Sequence, residues 1–96
     1  MKAQKIRDSS QRLSVEIDDL KKSDYHLLTL KISKKFNLMA SSKVTHGFDE
    51  IFQDYTDKKH TIGLEWDIWS GYIIVTKDKE SEELVNKIYD WLILED

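Results

Sequence analysis

The fold of this chain is decided by residues 60–76, which read HTIGLEWDIWSGYIIVT. In the first part, up to Ile68, apolar side chains occupy every second position, and this period of two is typical of a strand with one buried face. The second part, from Tyr72 to Thr76, is a run of β-branched and aromatic residues. The pair Ser70-Gly71 between them fits a two-residue turn. The stretch therefore predicts a β-hairpin.

A two-residue turn also fixes which side chains share a face, because cross-strand partners point the same way. It pairs Trp69 with Tyr72 and Asp67 with Ile74. The side that we expect to face the core carries Ile62, Leu64, Trp66, Ile68, Ile73 and Val75. The opposite side carries Glu65, Asp67, Trp69, Tyr72, Ile74 and Thr76.

Four more elements are predicted outside the hairpin. The alternation in residues 13–17 indicates a strand, and we expect residues 25–33 to form a second strand paired with it. Residues 48–56 place apolar side chains at i, i+3, i+4 and i+7, which predicts a helix. A C-terminal helix begins near Asp78, its expected N-cap, and buries an apolar stripe: Leu84, Val85, Ile88, Trp91 and Leu92.

These elements follow the order ββαββα. They predict an α+β fold, with a four-stranded, mostly antiparallel sheet and two helices packed on one face. Residues 1–11 are polar and without periodicity, so we expect a mobile tail there and a single α+β domain over residues 12–96.

The composition of the 96 residues excludes several classes of protein. The chain has no cysteine, so disulfides, cysteine nucleophiles and thiolate metal sites are ruled out. It has no apolar run of the length that a secretory signal or a membrane span needs. We therefore expect a cytoplasmic protein that does not associate with membranes.

Catalytic and cofactor chemistry finds little support in the residue pattern. His26, His46 and His60 have no metal-ligand spacing, and the serines lack a nucleophile-elbow motif. The three glycines are far apart, so they form no phosphate-binding loop. The acids Glu65 and Asp67 share a strand face, a pattern more typical of a solvated surface than of an acid–base pair. We expect no metal, no cofactor and no enzymatic activity.

Charge is distributed unevenly along the chain. Residues 1–35 hold nine Lys or Arg against five acids, whereas residues 36–96 hold six lysines against thirteen acids. An acidic surface of this kind attracts basic partners. The basic third favours an alternative, a small nucleic-acid-associated regulatory protein that uses Lys21, Lys22, Lys31, Lys34 and Lys35. The net charge of −3 disfavours binding to phosphate.

The outward side of the hairpin is the predicted binding surface, because it combines two acids with two large aromatic side chains. Its residues are Glu65, Asp67, Trp69 and Tyr72, and a second acidic group on the expected helix is Asp49, Glu50 and Asp54. Aromatic anchors with a polar surround are typical of protein-binding sites. The alternatives are that Trp69 and Tyr72 fold back over the sheet end, or that they complete a homodimer contact.

With its segment HTIGLEWDIW at residues 60–69 leading into a hairpin and a closing helix, the chain resembles bacterial immunity proteins. These are the immunity proteins of contact-dependent growth inhibition and related polymorphic toxin systems. The likeness is one of size, composition and element order over nearly the whole chain. It implies a cytoplasmic antidote that binds a cognate toxin domain, often a nuclease, and blocks or distorts its active site.

Overall fold

The computed structural model describes residues 2–95, and for Glu95 the backbone alone; Met1 and Asp96, at the ends of the predicted ranges, lie outside the described residues. Strands and helices follow in the order β1 Ala3–Arg7, β2 Leu13–Ile17, α1 Tyr25–Lys35, β3 Met39–Ala40, β4 Thr45–His46, β5 Glu50–Thr56, β6 Thr61–Asp67, β7 Gly71–Thr76 and α2 Glu82–Glu95. Short 3₁₀ turns at Lys22–Asp24 and Lys79–Ser81 lead into the two helices.

The strands form one antiparallel sheet in the order β1-β2-β7-β6-β5-β3, and β4 also pairs with β5. Buried side chains of α1 and α2 join a single core cluster with one face of the sheet. The α+β class is therefore confirmed. The predicted sheet of four strands is wrong, because the described residues form seven.

Four predicted elements are confirmed, namely β2, β6, β7 and α2. The Asp78 carboxylate accepts a hydrogen bond from the Ser81 N–H, so it caps the 3₁₀ turn that opens into α2. In β2, the apolar side chains Leu13, Val15 and Ile17 are all buried. Local periodicity identifies these elements because each has one buried face and one accessible face.

The predicted tail holds an ordered edge strand. Residues 3–7 pair with β2, and Ile6 lies opposite Ser14. The Arg7 guanidinium donates two hydrogen bonds, of 2.9 and 3.1 Å, to the Glu82 carboxylate at the start of α2. The Lys5 ammonium lies 4.7 Å from the centroid of the Tyr89 ring. Contacts with α2 thus hold β1 against the sheet, which local sequence could not reveal.

The predicted second strand is the helix α1. Leu28, Leu30 and Ile32 alternate as in a strand, but Leu30 is 50% exposed and Thr29 is buried. The buried positions are Tyr25, Leu28, Thr29 and Ile32, which follow the helical spacing i, i+3, i+4 and i+7. Both periods fit this segment, and packing of Tyr25 and Thr29 on the sheet selects the helix.

The predicted helix over residues 48–56 is instead strand β5. Its register against β6 places Ile51 and Tyr55 on the core side and Phe52 on the other side. Phe48, the first residue of the supposed apolar stripe, is 92% exposed. Because β6 is buried inside the sheet, its backbone N–H and C=O groups need a strand on this side, and β5 supplies it.

The hairpin between β6 and β7 forms with a three-residue loop, residues 68–70, and Asp67 pairs with Gly71. Gly71 has a φ of +76°, a left-handed conformation that closes three-residue hairpin loops. The predicted register differs by an odd number of residues, which turns every side chain of β7 to the other face. The core side of β7 is therefore Tyr72, Ile74 and Thr76, and the prediction that Ile73 and Val75 face the core is wrong.

Candidate functional site

The sheet side opposite the helices, hereafter the open face, carries the candidate site. Neither helix packs on it, because both contribute their buried side chains to the core on the other side. One cross-strand row of this face is Glu16, Ile73, Glu65 and Phe52, in adjacent positions on β2, β7, β6 and β5. This row of the open face therefore alternates acidic and apolar side chains.

Four of the seven predicted site residues meet on the open face. They are Glu65 and Asp67 on β6, and Glu50 and Asp54 on β5. Glu50 lies directly opposite Asp67, and Asp54 lies opposite Gly63. The helix expected for residues 48–56 is wrong, and strand β5 places Glu50 and Asp54 directly beside β6.

Lys77 partly neutralises this acidic group. Its ammonium lies 3.5 Å from the Asp54 carboxylate and 3.6 Å from the Glu65 carboxylate. The side chain crosses Gly63, where an added Cβ would lie 2.9 Å from the Lys77 Cε. Burial raises the pKa of Glu65, and the neighbouring Lys77 opposes that shift. Asp54, Glu65 and Lys77 thus form a small ion-pair network near the centre of the open face.

Asp67 has a structural task in addition to its charge. Its Oδ1 accepts hydrogen bonds from the backbone N–H groups of Trp69, at 2.9 Å, and Ser70, at 2.6 Å. These bonds close the three-residue loop and fix the backbone at Trp69. A substitution of Asp67 would therefore change the loop as well as the surface charge.

Three large apolar side chains protrude where the open face ends. Trp69 is 79% exposed, Ile68 is 58% exposed and Phe48 is 92% exposed. A 3.0 Å hydrogen bond from the Ile68 N–H to the Asp49 carbonyl joins the two loops that carry them. We call this group of two aromatic residues and one aliphatic residue the aromatic tip; it consists of Phe48, Ile68 and Trp69. Ile68 was expected in the core, and Phe48 was expected on a helix stripe; both expectations are wrong.

Tyr72 does not belong to this surface. Its side chain is fully buried beneath α1, where its hydroxyl forms a 2.7 Å hydrogen bond with the Thr29 hydroxyl. Burial raises the pKa of Tyr72 well above its usual range. The prediction that Tyr72 is an exposed contact residue is wrong, because the three-residue loop reverses the faces of β7. The expected Trp69–Tyr72 pair therefore does not form.

Asp49 contributes through its backbone, since its carbonyl accepts the hydrogen bond from Ile68. Its half-buried side chain adds negative charge beside the aromatic tip. Glu50, the next residue, is exposed and forms no side-chain hydrogen bond or ion pair with another described residue. Glu50 is thus the predicted site residue whose charge is most available to a partner.

The lysines of the alternative nucleic-acid surface are divided between two places. Lys31, Lys34 and Lys35 are exposed on α1, on the helix side of the sheet. Lys22 instead donates hydrogen bonds to the carbonyls of Gly47 and Phe48, at 3.1 and 3.0 Å. Its ammonium is therefore occupied by the loop that carries the aromatic tip.

The three histidines occupy two different environments. The rings of His26 and His46 are exposed and stack with a centroid separation of 6.3 Å. His60 is buried, and its Nδ1 lies 2.9 Å from the Asp57 Oδ2. Burial alone would raise the pKa of Asp57, but hydrogen bonds from the His60 side chain and from backbone N–H groups outweigh it and lower the pKa to about 2. The spacing Asp-x-x-His was the sequence signal for this pair.

A cleft of about 400 Å³ lies beside Asp57, lined by Asn37, Leu38, Met39, Thr56, Asp57 and Lys58. Because Asp57 is already bound by His60 and holds a low pKa, it is not poised to exchange a proton near neutral pH. Among residues 2–95, no group of three or more His, Asp or Glu side chains is arranged to hold a metal ion.

Neither helix in the described part of the chain has the length and apolar character needed to cross a membrane. Comparison of the sequence with protein-family models and curated proteins, and of the structure with solved structures, finds no match for this chain.

Proposed function

We propose that this chain is a non-enzymatic protein-binding module that neutralises a cognate toxin domain in the cytoplasm. The observation that carries the proposal is Trp69, which is 79% exposed on a loop that Asp67 holds in place. Large aromatic side chains on a rigid backbone, surrounded by polar groups, are typical anchors of protein interfaces. The acids of the open face begin directly beside this anchor.

The charge of the surface favours a cationic partner. Nuclease domains bind nucleic acid through grooves lined with lysine and arginine, because phosphate contacts supply much of the affinity. An acidic surface is attracted to such a groove and competes with the phosphates for it. A toxin of this class is therefore the best-suited partner, and occlusion of its groove requires no catalysis by this chain.

The structure changes the roles that we propose for the predicted residues. Trp69 is the anchor, and Glu50 is the acid most available for contact. Glu65 and Asp54 act through the ion-pair network with Lys77. Asp67 is a positioning residue for Trp69. Asp49 adds charge at the edge, and Tyr72 supports the fold without touching the partner.

The partner is first identified by tagged pull-down from the native host with mass spectrometry, and by reading the adjacent upstream gene for a large secreted protein with a toxic C-terminal domain. The test then uses the toxin domain identified in this way. Affinity is measured by isothermal titration calorimetry, and protection by survival of cells that co-express both proteins. We expect Trp69→Ala to weaken binding by about 30-fold or more, as for an interface anchor. We expect Glu50→Lys to weaken it by about tenfold, because it reverses an unpaired charge at the interface.

Matched controls come from the other parts of the surface. Leu30→Ala removes an exposed apolar side chain on α1, and Glu80→Lys reverses a charge at the opposite end of the strands. Both should change the affinity by less than about twofold. If Trp69→Ala and Glu50→Lys bind as tightly as these controls, the surface is misassigned. Retention on duplex DNA or RNA at about 0.15 M salt would instead favour the alternative function, in which the α1 lysines bind nucleic acid.

A further inference from the structure

The loop at residues 47–49 carries an exposed aromatic side chain on a backbone that three hydrogen bonds hold in place. Phe48 is 92% exposed, yet its backbone carbonyl and that of Gly47 both accept hydrogen bonds from the Lys22 ammonium. The same ammonium lies 5.9 Å from the centroid of the Phe48 ring. The Gly47 N–H donates to the Glu50 carbonyl at 2.8 Å, which closes the loop on itself. The Lys22 side chain thus links the segment before α1 to the loop at residues 47–49 and binds the backbone on either side of the Gly47–Phe48 step.

A second loop is joined to this one. The hydrogen bond from Ile68 to the Asp49 carbonyl places Phe48 and Trp69 on adjacent, mutually fixed loops. Single exposed apolar side chains are normal on a protein surface, but three large ones on two hydrogen-bonded loops are not scattered. Because the backbone is already fixed by these hydrogen bonds, a partner that buries these side chains would order little additional backbone.

The charges around the aromatic tip indicate what kind of surface would cover it. The three segments that meet here are residues 18–24, 47–50 and 67–71, since Gly71 packs against the backbone of Ile17 and Asp18. Together they hold two lysines and six acids, which are Asp18, Asp19, Asp24, Asp49, Glu50 and Asp67. One of the two lysines, Lys22, is occupied by the loop carbonyls. A second copy of the chain would bring like charges together, so a cationic partner fits better.

We propose that Phe48 is a second anchor of the docking surface, that Lys22 is its positioning residue, and that the partner presents an apolar pocket bordered by lysine or arginine side chains. This inference rests on the proposed function in one respect, which is that both use the surface around Trp69. It adds an apolar pocket on the cationic partner and two residues outside the predicted binding surface.

Substitution of Lys22 tests the proposal, because a charge effect and a positioning effect predict opposite changes in binding affinity. Lys22→Met makes the tip more negative, so charge alone would tighten binding to a cationic partner. If Lys22 acts by holding Phe48, the same change weakens binding. We expect Lys22→Met to weaken binding to the toxin domain by about tenfold and Phe48→Ala by about 30-fold, with Lys22→Arg close to the parent. The unfolding midpoint of each variant in urea serves as the control for folding.

A probe of known chemistry tests the same surface without the toxin. It is a short peptide of alternating leucine and lysine, compared with an alanine–lysine peptide of equal charge. Two-dimensional amide NMR of the whole chain should show shifts at residues 47–50 and 67–70 and at the Trp69 indole N–H with the leucine peptide. The alanine peptide should shift them less than about one fifth as far, because it lacks the side chains that fill an apolar contact.

The outcomes separate the two proposals. If Phe48→Ala leaves both toxin and peptide binding unchanged while Trp69→Ala weakens them, this inference is wrong and the proposed function stands. If the toxin domain does not bind but the leucine peptide shifts the aromatic tip and Phe48→Ala abolishes the shifts, the proposed function fails and this inference stands. Peptide shifts confined to Leu27 and Leu30 on α1, or shifts caused only by phosphatidylcholine vesicles, would overturn it.

Discussion

Gly71 occupies the point where the hairpin loop returns into β7, and its lack of a side chain is essential there. A Cβ at this position would lie 2.4 Å from the Ile17 carbonyl oxygen and 2.8 Å from the Asp18 Cα. Both atoms belong to the backbone and cannot move aside easily. The φ of +76° adds a conformational cost for any other residue. The observed loop, and with it the register of β7 that buries Tyr72, therefore requires glycine at position 71.

We predict that Gly71→Ala lowers the free energy of unfolding by about 3 kcal/mol, because it combines a left-handed conformation with a backbone clash. Urea denaturation measures this change. Gly47→Ala is the matched control, since its Cβ would meet only ordinary contacts at 3.5 Å. It should leave stability within about 0.5 kcal/mol of the parent. Equal stability of the two variants would contradict the observed loop geometry.

Asp57 makes the stability of the fold depend on pH in the acid range. Its pKa in the folded state is about 2, against an ordinary value of 3.8. A carboxylate with a lowered folded pKa contributes stability above its unfolded pKa, and this contribution is lost as the pH falls from about 4 through 2. We predict that Asp57→Asn removes about 2 kcal/mol of stability at neutral pH and flattens the loss between pH 4 and 2. Urea titrations over this pH range check it; parallel curves for parent and variant would contradict it.

Helix α1 is attached to the sheet by two buried tyrosines. The Tyr25 hydroxyl donates a 2.6 Å hydrogen bond to the Leu64 carbonyl, and the Tyr72 hydroxyl pairs with Thr29. Burial raises the pKa of Tyr25 to about 12, so it stays a donor at every ordinary pH. These two contacts, with the apolar side of α1, explain why a segment that also alternates like a strand forms a helix. The choice between the two depends on residues about forty positions away.

We predict that Tyr72→Phe lowers the free energy of unfolding by about 1–2 kcal/mol, because it leaves the buried Thr29 hydroxyl without its partner. Thr29→Val should cost a similar amount, and the double variant should cost less than the sum of the two. A double-mutant cycle in urea measures this coupling. Tyr72→Phe should leave the affinity for the toxin domain unchanged. A loss of affinity without a loss of stability would contradict this and indicate that Tyr72 contacts the partner.

On the scale of the whole molecule, the lysines of α1 and the acids of β5 and β6 lie on opposite sides of the sheet. The exposed lysines of α1 lie on the helix side, whereas Glu50, Asp54 and Glu65 lie on the open face. The aromatic tip lies at one end of the open face, at the loop between β6 and β7. Under the proposed function, this arrangement would guide a cationic partner toward the open face and the aromatic tip.

We predict that association with the toxin domain slows by about tenfold when salt rises from about 0.05 to 0.5 M, because steering between exposed charges is screened. Dissociation should change much less, since it depends on the buried anchors. Stopped-flow fluorescence separates the two rates. Glu50→Lys should weaken the salt dependence, whereas the control Glu80→Lys should not. An association rate that is independent of salt would argue against the acidic face as the docking surface.

By itself, the sequence determined the elements whose pattern is local. Strands β2, β6 and β7 and helix α2 follow from periodicity, and the outward acids of β6 follow from the same alternation. Only the tertiary structure decided that residues 25–35 are a helix and residues 50–56 a strand, because packing on the sheet and pairing with β6 override the local pattern. It also decided the register of the hairpin, through contacts of Gly71 with Ile17 and Asp18. Burial and pairing depend on partners distant in the chain, so the separation of Trp69 from Tyr72 and the position of Phe48 beside Trp69 could not be read locally.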